Sequence, residues 1–432
     1  LNGQSRFPSL SIYLHPRILV IFFLGFSSGL PLALTASTLG VWLMESGVNM
    51  AAIGMFAAAA TPYNLKFLWS PLIDGMPFPI LSHLLGRRRG WLVATQLALI
   101  GSLTLLALSQ PQVNAWWTAL AALLVAICSA SQDIVIDAYR VEILSAEQQG
   151  AGAATVVLGY RLGMIASGAG ALTLATFMSW PMTYMVMAAL MVISIFVVLF
   201  SPEPEASRKK EVTAEEKHSV GGWLSDHVVA PFADFMTRPQ WLTLLLFILL
   251  YKLADAFMGL MPSLFYLQLG FSKAQIAGIR GVYGVIATIV GGFIGGAMVS
   301  RMGMVRSLWI CGIAHAATNL MFVAQAKIGA DAGFLIFSIT LENVTGGMGT
   351  SAFVAFLSNL TRARFTATQY ALLSSFAAIG RTWLSTPAGW FVNQLGWSMF
   401  FLLAASLAIP GLVTLWYLNR KLNYNENINS AI

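Results

Sequence analysis

Charged side chains are scarce in this chain. Only 9% of its 432 residues are Asp, Glu, Lys or Arg, whereas ordinary soluble domains carry about a quarter, which argues against a soluble globular body. Cysteine is almost missing too. Cys128 and Cys311 both fall inside apolar runs and stand far apart, which argues against a disulfide framework and leaves them as packing residues. No G-x-x-x-x-G-K-[ST] phosphate loop occurs, so direct ATP hydrolysis is not expected. The five histidines, His15, His83, His218, His227 and His315, show no metal-ligand spacing such as H-E-x-x-H, so neither a metal nor a cofactor is expected. His315 alone lies within an apolar run, where it reads as a satisfied polar core residue.

What the chain has in abundance is apolar surface. Hydrophobic residues make up 57% of it, and the mean hydropathy of +0.75 is spread along the whole length, the pattern of a polytopic membrane protein in a lipid bilayer. The net charge of +7 does not form a nucleic-acid surface, because the basic residues are dispersed between apolar segments. Leu1 opens the chain without a cleavable signal pattern, so the first apolar run, at Ile18, reads as a true span.

Runs of roughly 20 or more apolar residues predict twelve helices. Helices 1 to 6 cover roughly 18–44, 50–73, 91–109, 115–139, 150–178 and 181–200, and helices 7 to 12 roughly 241–268, 273–300, 305–325, 331–360, 365–392 and 397–418. The expected fold is all-α, with two pseudo-symmetric six-helix bundles at residues 1–200 and 241–432. Residues 201–240 between them read as a cytoplasmic linker holding an interfacial helix with Leu224, Val228, Phe232 and Phe235 at helical spacing.

Loop charge sets the expected orientation. With both termini cytoplasmic, seventeen of the 24 basic residues fall on that side, and only Lys273 and Lys327 on the other, a strong positive-inside bias. The remaining five, Lys66, Arg161, Lys252, Arg280 and Arg381, fall within predicted spans, as do Asp133, Asp137, Asp255 and Glu342. Each costs about 2.5–3.5 kcal/mol at the centre of a lipid-facing helix. The simplest arrangement gathers them around a polar cavity between the bundles.

Two uses of these charges stay open. They can be static pairs, a reading strongest for Asp137, three residues before Arg140, and for Lys252 with Asp255. Alternatively the acids carry protons, with Asp133 leading and Asp255, Glu342 and Asp137 behind it, because a desolvated carboxyl can load and release a proton as its surroundings change. Small residues four apart, in "GYRLG" from Gly159 and "GGFIGG" from Gly291, predict close helix packing.

Internal repetition supports the division in two. "GLP" at Gly29–Pro31 and "GLMP" at Gly259–Pro262 predict kinks in helices 1 and 7. "SPLIDG" with "GRRRG" after helix 2, and "GAMVSRMGMVR" after helix 8, resemble the G-x-L-x-D-R-x-G-R-[KR] signature of the major facilitator superfamily. Ser70 stands for the leading glycine, residues 75–85 are inserted, and Ser300 replaces the second acid. The resemblance implies a gating role for Asp74, Arg87, Arg88 and Arg89.

A narrower likeness runs through nearly the whole chain. "LGFSSGLPLALT" from Leu24, "KFLWSPLID" from Lys66, "GRRRGW" from Gly86, "CSASQDIVIDAYR" from Cys128, "LGYRLGM" from Leu158, "ENVTGGMGTSAFVA" from Glu342 and "FTATQYALLSS" from Phe365 resemble the AmpG-type muropeptide permeases. That resemblance implies a proton-driven importer, not an enzyme. It would sit in the bacterial inner membrane as a monomer and carry anionic anhydromuropeptides to the cytoplasm for peptidoglycan recycling, which in some bacteria feeds β-lactamase induction. Lys66, Arg161, Lys252, Arg280 and Arg381 are natural partners for the carboxylates of such a cargo. Tyr63, Trp69, Tyr160 and Tyr283 could stack on its sugars, and Asn64, Gln132, Asn343 and Gln369 could bond its acetamido groups. Two other readings are a superfamily transporter of another anion, such as acetyl-coenzyme A, and a membrane enzyme acting on lipid-linked precursors. The second lacks a nucleophile, metal cluster or phosphate loop.

Overall fold

The computed structural model describes residues 10–48, 56–205, 225–258, 261–272, 275–276, 279–384 and 388–422, and every regular element among them is helical. Hydrocarbon offers backbone N–H and C=O groups no partner, so apolar runs of this length satisfy them internally. Among the described residues nine helices are long and apolar enough to cross a membrane. The fragmented helix 2 and helices 10 and 11, richer in Ser, Thr and Gly, complete the twelve predicted segments.

In the first half, helix 1 spans Pro16–Leu34 and continues as Ser37–Glu45, and helix 2 is split into Thr61–Leu65 and Ser70–Gly75. Helix 3 is Arg87–Ala107, helix 4 Ala115–Ile143, and helix 5 Gln149–Ile165, extended through a π-turn to Ala171–Ala175; helix 6 is Trp180–Phe200. In the second half, helix 7 comprises Trp241–Tyr251, Leu253–Met258 and Met261–Gln268, and helix 8 is a π-turn Ile279–Tyr283 leading into Gly284–Met302. Helices 9 and 10 are Met304–Ile328 and Ala332–Asn359. Helix 11 begins as Thr366–Leu384, and the next helical stretch, Ala388–Ser406, turns at Gly396, whose φ of 72° suits a residue without a side chain. That turn ends helix 11 and starts helix 12, which finishes as Ala408–Leu422.

Local chemistry explains the breaks. In helix 2, Pro71 cannot donate to the carbonyl of Phe67, and the Ser70 hydroxyl donates to it instead at 3.0 Å. The serine at the glycine position of the signature therefore repairs a break that the following proline causes. Helix 1 contains Pro31 and interrupts its course at Thr35 and Ala36, one turn beyond it. Helix 7 opens at Lys252 (φ −101°, ψ 7°), earlier than the kink predicted at "GLMP", of which Gly259 and Leu260 lie outside the described residues.

Glycine brings the helices together, as the small-residue spacing predicted. A Cβ on Gly29 would stand 2.0 Å from the Tyr160 carbonyl oxygen, and one on Gly163 2.3 Å from that of Phe26, so helices 1 and 5 touch backbone to backbone. Helices 8 and 10 do the same through Gly291, Gly295 and Gly347. Gly150 and Gly296 make a similar approach between helix 5 and helix 8, across the two halves. The linker helix, Ala230–Met236, does not lie free at an interface. Phe235 is buried in the apolar cluster that joins helices 7, 9, 10, 11 and 12; Leu224 falls outside the described residues.

Candidate functional site

The helix ends that carry the arginine-rich loops are closed by a buried ionic network. Arg88, fully buried, donates from Nη2 to Asp74 at 2.7 Å and to Glu142 at 2.5 Å, and from Nε to Glu142 at 3.0 Å. Arg87 donates to the Asp74 backbone carbonyl at 2.6 Å. The other carboxylate oxygen of Asp74 accepts the backbone N–H of Thr368 at 2.8 Å. Thr368 lies in the first turn of helix 11, so an acid from the first half caps a helix of the second. Arg89 works differently: its guanidinium donates to Val198 and Leu199 carbonyls at the end of helix 6, while Glu203 accepts the N–H groups of Arg88 and Arg89 at the start of helix 3.

A second bridge crosses the same face. Lys66 sits 3.6 Å from Asp137, and Asp137 lies 3.7 Å from Arg140. Arg140 then donates to Ser358 of helix 10 at 2.9 Å and lies over the Tyr370 ring of helix 11. Tyr13 meets Phe293 of helix 8 with ring centroids 5.0 Å apart. One helical turn deeper than Asp137, Asp133 accepts the Ser28 hydroxyl at 2.6 Å, with Lys66 and Tyr63 as its electrostatic neighbours.

The polar cavity lies farther from that face. A partly open cavity of about 220 Å³ is lined by Arg161 of helix 5 together with residues of helices 7 to 10, among them Asp255, Arg280, His315, Asn319, Glu342 and Asn343. Asn343 accepts from Thr288 at 3.0 Å and donates to the Ile339 carbonyl at 2.8 Å. Arg280 donates to the Ser263 hydroxyl. Both oxygens of Asp255 are occupied, one by Lys252 at 2.8 Å and the other by His315 Nε2 at 2.5 Å. His315 Nδ1 bonds Thr345 at 3.1 Å, and Lys252 also reaches Thr350 at 3.4 Å. Lys252 and Asp255, three residues apart, are neighbours on one helix face, and Asp255 brings the pair to the cavity wall.

Not every sequence expectation meets in this chamber. Arg161, Asp255, Arg280, Glu342 and Asn343 line it, and Lys252 adjoins it. Lys66, Asp133 and Asp137 form the separate cluster nearer the basic face, so a single chamber holding every intramembrane charge is corrected to two groups. Asp137, held by two cations, is a bridge in this conformation. Gln132 is corrected more sharply: it is fully buried and donates to Ser27 at 2.9 Å, inside the first bundle. Gln369 is buried too and ties the linker helix to helix 11, donating to Asp234 at 2.9 Å and accepting from Arg362 N–H at 2.9 Å. Trp69 braces helix 2 to helix 4 through Ser131 at 3.0 Å. Tyr283 is 54% exposed and is not part of the cavity wall. Tyr63 and Tyr160 neighbour one another, and Asn64 is half-buried on helix 2. Arg381 lies on helix 11 with its side chain outside the described residues.

Several participants escaped sequence reasoning. Glu142 and Glu203 sit just past the ends of apolar runs, where an acid usually reads as solvated. His315 is a cavity residue paired to Asp255, not an isolated core histidine. Its place on helix 9, well inside the apolar run, was the available signal. Thr368, Ser358 and Tyr370 carry no sequence signal, because their roles depend on what the other half presents.

Known proteins match this chain along most of its length. The family model described as Major Facilitator Superfamily matches residues 21–383. The anhydromuropeptide permease of Escherichia coli strain K12 is 41% identical over 426 residues, covering 98% of this chain and 84% of that protein. An AmpG 4 transporter of Rickettsia conorii is 40% identical over 411 residues, 94% of this chain and 97% of its own length. Among solved structures, the human organic anion transporter MFSD10 superposes with a TM-score of 0.67 at 16% identity, over 94% of this chain and all of that one. The proton:xylose symporter XylE gives 0.68 at 13%, over 94% and 96%. At those identities the structures speak for the fold alone.

Proposed function

Because this chain belongs to the major facilitator superfamily, we propose that it is a secondary transporter that imports anhydromuropeptides, driven by protons moving the same way. Residues 1–200 and 241–432 act as the two bundles, joined by 201–240 and working as a monomer, with the basic face toward the cytoplasm of a bacterial inner membrane. The observation that carries the reading is the cavity lined by Arg161 of the first half and Arg280 of the second. Guanidinium groups contributed by both halves suit a cargo with several carboxylates, which arginine can hold in bidentate fashion. The 41% identity to the E. coli permease selects muropeptides among such cargoes.

The chain's own geometry supplies a cycle. With the Asp74–Thr368 and Arg140–Ser358 contacts made, the basic face is shut and cargo enters from the opposite side. Rocking the bundles breaks those contacts and opens the cavity to the cytoplasm. At about 220 Å³ the cavity is smaller than the roughly 300–1,000 Å³ of typical ligand pockets, so in this state it holds the charged end of a muropeptide and not the whole molecule. Asp133, which accepts the Ser28 hydroxyl, is the proton carrier of the first half.

Uptake of labelled anhydromuropeptide into proteoliposomes, with and without an imposed pH gradient, tests the reading. Accumulation above equilibrium only with the gradient supports it. Equilibration that ignores the gradient removes proton coupling, and displacement of the label by acetyl-coenzyme A but not by unlabelled muropeptide moves the cargo to another class.

A further inference from the structure

We propose that Glu342 and a carboxylate of the cargo compete for Arg280, so that cargo is held tightly only when Glu342 carries a proton. The proposal rests on the muropeptide reading above and names the group that links proton and cargo within the cavity.

Glu342 differs from the other interior acids among the described residues. Asp137 is bridged by Lys66 and Arg140, Asp255 is filled by Lys252 and His315, and Asp133 accepts from Ser28. Glu342 lines the cavity, and among the described residues no hydrogen bond or ion pair reaches its carboxylate. Its charged and titratable neighbours are Arg280 of helix 8, His315 of helix 9, and Asp255 and Tyr266 of helix 7, with Arg161 of helix 5 on the same wall. Arg280 exerts the strongest pull. Lys252 is committed to Asp255, and His315 shares that carboxylate. The acid is thus left beside Arg280, a guanidinium that a cargo carboxylate would also seek.

Charge balance gives the coupling its sign. Among the described residues, Arg161, Arg280 and Lys252 stand against Asp255 and Glu342 in and beside the cavity, leaving one positive charge while Glu342 is ionised and His315 neutral. One proton on Glu342 raises that to two. Charge inside a protein is less screened than in bulk water, so a polycarboxylate cargo and the proton favour each other's binding, as reciprocal linkage requires. Proton and cargo then enter together and leave together.

Binding of labelled anhydromuropeptide to the purified full chain, measured across a pH series, is the test. In the wild type the dissociation constant rises with pH, approaching about tenfold per unit once Glu342 is ionised, the limit for one linked proton. Glu342→Gln binds at all pH values as the wild type does at its most acidic, with the slope gone. Glu342→Asp keeps a slope, and Arg280→Gln binds weakly throughout and without one. The proposal is overturned by a Glu342→Gln protein that retains the wild-type slope, or by one that binds more weakly than the wild type at acid pH. A wild type that binds no muropeptide at any pH, while Glu342→Gln is equally silent, overturns the cargo reading and this proposal with it.

Discussion

At the scale of single residues, the decisive property is which direction a side chain takes from its helix. Gln132 and Asp133 are adjacent, yet the helical step of about 100° sends the amide into the first bundle, to Ser27, and the carboxylate to Ser28 beside Lys66. Asp133→Asn keeps the shape of the group and removes its proton, so we expect gradient-driven accumulation in proteoliposomes to fall to the level seen without a gradient, while thermal unfolding in detergent is unchanged. Full accumulation by the variant would take Asp133 out of the mechanism. Gly29 tests packing instead of chemistry. Because a Cβ there would stand 2.0 Å from the Tyr160 carbonyl oxygen, Gly29→Ala must part helices 1 and 5, at a cost of about 1–3 kcal/mol. Gly101→Ala is the control, since nothing lies within 4 Å of its Cβ; calorimetry should show a lowered midpoint for the first and none for the second.

At the scale of elements, helix 11 is the part whose behaviour its own sequence conceals. Its first turn is held by Asp74 from the opposite half and by Gln369, which grips the linker helix at Asp234. Asp234 also receives Arg362 at 2.5 Å, and Arg238 donates to the Leu360 carbonyl at 2.5 Å, so the linker is clamped where helix 11 begins. Losing a cap costs about 1 kcal/mol, which is roughly a fivefold change in an equilibrium. Asp74→Ala should therefore raise the population open at the basic face by about that factor. The rate at which an impermeant maleimide labels a single cysteine placed at Ala371, buried between the halves, reads this directly. A rate equal to that of the parent would mean that the cap does not hold the face shut.

For the whole molecule, transport requires the two bundles to part where they now touch. Tyr13 and Phe293 meet across the closed face. Cysteines at these two positions, in a background without Cys128 and Cys311, should be joined by a short bis-methanethiosulfonate linker, which stops uptake until a reductant releases it. Continued uptake in the cross-linked protein would show that this face does not open during the cycle. The same scale explains why the site was only half legible: the intramembrane charges stood out by their cost, but how they divide into a cavity group and a bridging group depends on how neighbouring helices are rotated.

The sequence by itself determined the helical class, the twelve segments and the superfamily, because length, hydropathy and the distinctive motifs are local properties, and a bilayer lets an apolar run satisfy its backbone in only a few ways. It also marked the glycines through which helices would touch. Tertiary structure alone decided that Asp74 caps helix 11, that His315 shares Asp255 with Lys252, and that Arg161 faces the second half. Those relations join residues up to 294 positions apart, and they depend on the depth and rotation of whole helices, which are set by backbone contacts such as Gly150 against Gly296 and by no pattern within a single span.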